Sequence, residues 1–108
     1  MGFQIYTGGR GVLANSASAT VKMGPFIDTN GDAVTTLTIA QADVRLSKND
    51  AAFAQKSNSS SASHVENGWY DVPLDPADID ITGNLIIAIH ASGALPVWRM
   101  LEVDVAVS

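Results

Sequence analysis

Two histidines, a serine-rich loop and two acidic clusters are the residues of this chain whose types suit chemistry. His64 closes a polar stretch rich in serine, the company a hydrolase histidine keeps. A nucleophilic serine needs a strained elbow, however, and no Gly-x-Ser-x-Gly string occurs anywhere. His90 ends the run Leu85-Ile86-Ile87-Ala88-Ile89-His90 and shares a face with Ile86 and Ala88, so it reads as a hydrogen-bonded strand residue. Two histidines without a cysteine or an i, i+4 helical pair make a poor zinc site. Asp28-Thr29-Asn30-Gly31-Asp32 has the spacing with which calcium loops begin. Its sixth position is Ala33 where the sharp turn needs glycine, and its twelfth is Ile39 where a bidentate Glu belongs, so the string reads as a hairpin turn. In Asp75-Pro76-Ala77-Asp78-Ile79-Asp80, Asp75 caps a single helical turn begun by Pro76, and no second cluster completes a coordination shell; this is a cross-over loop. Thr7-Gly8-Gly9-Arg10-Gly11 is glycine-rich, but no Gly-Lys-Ser/Thr follows to hold a phosphate. The expectation is a protein with no catalytic residue, no metal and no cofactor, hence not an enzyme.

The elements that carry these residues are short strands. The clearest is Gly68-Trp69-Tyr70-Asp71-Val72-Pro73-Leu74, in which Tyr70, Val72 and Leu74 alternate with Trp69, Asp71 and Pro73. It is entered through the turn signal Glu66-Asn67-Gly68. Val21 and Met23 point inward from a strand beginning at Ala19, which Gly24-Pro25 interrupts, a pattern that suits an edge strand with a bulge. Residues 36–39 are β-prone, and a helical turn fits around residues 40–43. Val44 and Leu46 alternate with Arg45 and Ser47, and Asn49-Asp50 turns that strand into residues 52–56. Residues 57–63 hold five serines and one Asn and are expected to be mobile. Residues 85–91 are apolar on both faces and read as a central strand covered on both sides. The last strand turns Leu101, Val103 and Val105 inward and leaves Trp98 and Met100 on the opposite face.

At 108 residues the chain is one domain, and with no cysteine its stability rests on packing or on association. Charged residues make up only 16%, which leaves a charge-poor surface able to rest against other protein. The net charge of −5 is unevenly spread. Residues 1–27 hold Arg10 and Lys22 and no acid, whereas residues 28–108 set four cations against eleven carboxylates, about −7 in all. Such a body repels phosphate backbones, so no nucleic-acid partner is expected. There is neither an apolar run long enough for a membrane span nor a signal peptide, so no membrane partner is expected and the protein belongs to the cytoplasm or to a particle built there. Residues 1–18 read as a flexible N-terminal arm, with the apolar tip Phe3-Gln4-Ile5-Tyr6, a glycine joint and the small-residue stretch that includes Val12 and Leu13; residues 19–108 read as the folded domain.

About seven short strands and no long helix predict an all-β fold, an antiparallel immunoglobulin-like β-sandwich, with a tyrosine-corner-like contact at Tyr70. Four strings, Val21-Lys22-Met23-Gly24-Pro25-Phe26-Ile27-Asp28, Leu37-Thr38-Ile39-Ala40-Gln41-Ala42-Asp43-Val44-Arg45-Leu46-Ser47-Lys48-Asn49, Gly68-Trp69-Tyr70 and Ala91-Ser92-Gly93-Ala94-Leu95-Pro96-Val97-Trp98, together resemble a family of small virion-associated proteins of tailed bacteriophages. The likeness spans about residues 20–105. It implies a virion structural protein: a capsid decoration (cement) protein that binds the outer capsid surface and stabilises the shell, or alternatively a head-to-tail or tail-associated adaptor or fibre-anchor domain. Longer relatives continue into a repetitive tail where this chain stops at Ser108, which argues against a fibre-like role. The implied partners are the major capsid protein and further copies of the chain, as a homotrimer on the particle. The residues expected at those interfaces are Phe3, Ile5, Tyr6, Val12, Leu13, Trp69 and Trp98.

Overall fold

In the computed structural model, which describes residues 11–105, sheet register is set by tight turns of special backbone. Asn67 (φ 50°) and Gly68 (φ 86°) are both left-handed, the geometry of a two-residue hairpin loop, so strand β5 (Ser63–Glu66) turns directly into β6 (Trp69–Leu74). Asn49 (φ 49°) and Asp50 (φ 68°) do the same after β3 (Val44–Lys48), where Ala51 N–H donates to Lys48 O at 3.0 Å before β4 (Ala54–Gln55). Three of the remaining strands are β2 (Ala19–Met23), β7 (Gly83–Ile89) and β8 (Val97–Asp104), and the first, β1, is Val12–Ala14. One sheet has the order β1-β8-β7-β3-β4 and the other β2-β6-β5.

The two sheets share one apolar core. Val21 and Met23 of β2 and Tyr70, Val72 and Leu74 of β6 face Val44 and Leu46 of β3, Leu85, Ile87 and Ile89 of β7, and Leu101 and Val103 of β8. These are the inward residues that the period-two pattern assigns to β2, β3, β6 and β8, and Val105 is the exception. It lies just past the end of β8 and is exposed, because the pairing with β1 stops at Asp104. Phe26 meets Tyr70 edge-to-face with ring centroids 5.3 Å apart.

Several expectations are corrected. Among the described residues there are eight strands where about seven were expected, and the fold is not wholly antiparallel: β1 runs parallel to β8, with Val12 opposite Glu102 and Ala14 opposite Asp104. Val12 and Leu13 therefore lie in a sheet and not in an arm. Leu13 packs against the core and is withdrawn as an interface residue, while Val12 faces outward and is exposed. β2 is an edge strand but pairs with β6 without a bulge, and the register shift falls in β5 between His64 and Glu66. β7 is central but buried on one face only, with Ile86 and Ala88 half-buried on the other. Residues 36–39 form no strand, although Ile39 is fully buried; the turn at residues 40–43 is a short 3₁₀ helix, Gln41–Asp43. Tyr70 is not a tyrosine corner, since its hydroxyl bridges backbone 33 to 36 residues upstream, donating to Val34 O (2.7 Å) and accepting from Leu37 N–H (3.0 Å).

Residues 57–63 are hydrogen-bonded at many points rather than free. Lys56 is only 1% exposed, and its ammonium donates to Asn58 O and Ser60 O at 2.9 and 2.8 Å. Asp78, in the 3₁₀ turn Pro76–Ile79, is buried and accepts from the backbone N–H groups of Ser57, Asn58 and Asp75. Burial holds the Lys56 amine below its ordinary value, with the Asp78 and Asp75 carboxylates acting in the opposite sense. On the same cross-over, Lys48 donates to Asp80 at 2.8 Å, and that hydrogen bond draws the Asp80 carboxyl below the usual carboxylate range.

Candidate interaction surface

The chemistry-bearing residues are absorbed by local structure. The Asp28 carboxylate accepts from Asn30 N–H (2.9 Å) and Asp32 N–H (3.0 Å), and Ile27 bridges Ala33, so this cluster is the cap of a hairpin turn. His64 Nε2 accepts from Gly68 N–H at 3.2 Å, and its ring lies edge-on to Tyr70 at 5.0 Å. His90 follows β7, is exposed, and donates its backbone N–H to Asp43 O. No group of three or more metal-ligating side chains occurs among the described residues.

What stands out instead is a seam where edge strands of the two sheets meet. β2 ends one sheet; along residues 97–101 of β8 no strand lies on the outer side among the described residues, since β1 begins only opposite Glu102. Between these edges lies a groove of about 260 Å³ lined by Lys22, Met23, Gly24, Trp69, Val97, Trp98 and Arg99. Both tryptophans line it. Trp98 is 67% exposed on the outward face of β8, and Trp69 is 37% exposed on the outward face of β6. Arg99 ties the walls together by donating from Nη1 to Lys22 O (2.9 Å), and Lys22 pairs with Asp71 at 2.7 Å. The charged side chains of the lining are therefore cations, in a chain that is acidic as a whole.

Backbone proximity shapes the floor. Gly24 (φ 148°) sits so close to β6 that a Cβ there would lie 2.9 Å from Gly68 O and 3.1 Å from Trp69 Cδ2, so only glycine admits the Trp69 ring at this point. Beyond the groove, the outward face of the larger sheet continues with Met100, Ile86, Ala88 and Val12, of which Met100 and Val12 are exposed.

Of the seven interface candidates, Trp69 and Trp98 come together at the groove, Val12 lies on the sheet face that adjoins it, Leu13 turns inward, and Phe3, Ile5 and Tyr6 lie outside the described residues. Lys22, Met23, Gly24, Val97 and Arg99 were not singled out as site residues. Their one local signal was the break at Gly24-Pro25; their convergence depends on pairing between residues far apart in sequence. Comparison of the chain with protein-family models, with curated proteins and with solved structures returns no match in any of the three. No helix among the described residues is long and apolar enough to cross a membrane.

Proposed function

We infer that the chain is a bacteriophage virion structural protein of the capsid decoration (cement) type, an immunoglobulin-like sandwich that binds the outer capsid surface, contacts the major capsid protein and stabilises the shell. One observation carries the reading. Three of the four strings on which the phage resemblance rests, those around Met23, Trp69 and Val97, supply six of the seven residues that line the groove, so the resemblance converges on one surface feature. The strand orders add support for the sandwich class: β2-β6-β5 corresponds to the B-E-D strands of an immunoglobulin-like domain, and β8-β7-β3-β4 to its other sheet with an added strand. A groove flanked by two tryptophans, whose two cations are engaged with Asp71 and with Lys22 O, on an acidic body suits a protein partner better than a polyanion.

The reading is tested by counting copies. Purified particles carrying the protein should show on the order of hundreds of copies by gel densitometry, as a shell of many equivalent sites requires. About a dozen copies would move the protein to the neck or tail and overturn the decoration assignment. Removal of residues 2–9, which leaves β1 intact, is expected to give a folded domain with far lower particle occupancy, because burying Phe3, Ile5 and Tyr6 would stabilise attachment by ~1.5 to 3 kcal/mol for each side chain. Wild-type occupancy of the shortened chain would count against a contribution from the arm.

A further inference from the structure

We propose that Asn67-Gly68 is a self-modifying site, at which His64 acts as the general base for the loss of ammonia from Asn67 and its conversion, through a succinimide, to an aspartyl or isoaspartyl residue. Gly68 N–H donates to His64 Nε2 at 3.2 Å, and because a backbone amide can only donate, that ring nitrogen carries its lone pair and the imidazole proton sits on Nδ1. The distance is within the reach a general base needs to the group it deprotonates. The ring is held there by Tyr70, which lies opposite His64 in the β5–β6 pairing and meets it edge-on at 5.0 Å. Asn67 is exposed in the two-residue loop, and its carboxamide has no hydrogen-bond partner among the described residues, so it is free to turn toward the Gly68 nitrogen. Gly68 has no Cβ to obstruct that approach.

The Gly68 nitrogen bonds to Asn67 Cγ as its proton passes to His64 Nε2. The Cγ–Nδ2 bond then breaks, the imidazolium returns the proton to the departing nitrogen, and ammonia leaves a succinimide ring behind. Water opens that ring at either carbonyl, so water is the co-reactant and nothing is oxidised or reduced. Opening at one carbonyl gives an aspartyl residue; opening at the other gives an isoaspartyl residue, which routes the main chain through an extra methylene. Gly68 cannot absorb that length: it is buried, its carbonyl accepts from Phe26 N–H at 2.8 Å, and a Cβ on it would lie 2.7 Å from Phe26 O. The slack therefore falls on β5, an edge strand of its sheet. Either product also sets a new carboxylate in the loop between Glu66 and Trp69, beside the tryptophan wall of the groove.

The chain supplies its own control in Asn30-Gly31. Both residues are exposed and the Asn30 carboxamide likewise has no partner among the described residues, but Gly31 N–H donates to Asp28 O at 3.0 Å, a carbonyl too weakly basic to take the proton. The full-length chain is incubated folded at neutral pH, sampled over time and digested with trypsin, which puts the two sites in separate peptides, residues 23–45 and 57–99. Tandem mass spectrometry then reads the mass gain of an amide turned to a carboxyl at each asparagine. Conversion at Asn67 is expected to run at least ~10-fold faster than at Asn30, a modest share of the ~10²–10⁴-fold that a well-placed general base contributes. In urea, where His64 is no longer held against Gly68, the two rates should draw level. His64→Gln keeps an oxygen acceptor without a base and should bring Asn67 down to the Asn30 rate while leaving Asn30 unchanged. A folded wild-type chain that converts Asn67 no faster than Asn30 would overturn the proposal, as would a ratio that persists in urea or a folded His64→Gln chain with the wild-type rate. The wild-type comparison decides the matter even if the variant fails to fold.

Discussion

Tyr70→Ala is expected to leave the domain largely unfolded at room temperature, while Tyr70→Phe leaves it folded and measurably weaker. The ring of Tyr70 is 1% exposed and packs edge-on against Phe26 within the shared core. Truncating a buried aromatic to alanine costs about 3–5 kcal/mol from lost transfer energy and the cavity left behind. The hydroxyl adds a second term, because it satisfies Val34 O and Leu37 N–H and so ties the connection between β2 and β3 to the core. Leaving such groups without a partner costs about 1–3 kcal/mol. A domain of this size has about 5–15 kcal/mol in total, so the alanine change takes a large share of it and the phenylalanine change a modest one. Urea unfolding followed by circular dichroism measures both. Tyr70→Phe should lower the midpoint with the slope unchanged, and equal losses for the two variants would mean that the hydroxyl bridge, not the packing, carries the effect.

Tyr70 was legible as a core residue because its neighbours alternate strictly, and Asn67-Gly68 announced the hairpin that presents it. Both signals are local. The Asn49-Asp50 turn and the Pro76 turn were legible for the same reason, since backbone preferences act within three or four residues. Val12 and Leu13 were not, because their strand exists only through pairing with residues 102–103, about ninety positions away, and the glycines beside them read equally well as a joint. The groove was half legible. Strand alternation put Trp69 and Trp98 on outward faces, but nothing within either strand says that the two faces meet at one seam beside Met23 and Gly24. Lys56 was missed altogether, since a lysine next to five serines looks solvated, and its burial comes from Asn58, Ser60 and the distant Asp78 turn folding around it.

That buried knot makes Asp78→Ala the second change with a large expected effect. The Asp78 carboxylate accepts from three backbone N–H groups, at Ser57, Asn58 and Asp75, and so joins the serine-rich loop to the turn after β6. Alanine removes the acceptor and leaves those donors unpaired, and it takes from the buried Lys56 ammonium the stronger of the two carboxylate influences on it, Asp75 being the other. Breaking one partner out of a buried charged group costs about 3–5 kcal/mol. Lys56→Met should cost less, because methionine fills similar space without a charge to desolvate, although Asn58 O and Ser60 O each lose a donor. The two sites share partners, so the double variant should be more stable than the sum of the single losses predicts. The pH dependence follows from the Lys56 amine, which is held below its ordinary value of 10.5 in the folded state. The unfolded chain then binds the proton more tightly than the folded one between those two values, so this residue's contribution to stability rises with pH through that alkaline window; at lower pH the burial penalty on the charged form is present in full. Comparing wild-type and Lys56→Met unfolding free energies from neutral pH upward isolates the term. The difference between them should move in favour of the wild type as the pH approaches 10.5, and a constant difference would show that the Lys56 ammonium is as well solvated in the folded domain as in the unfolded chain.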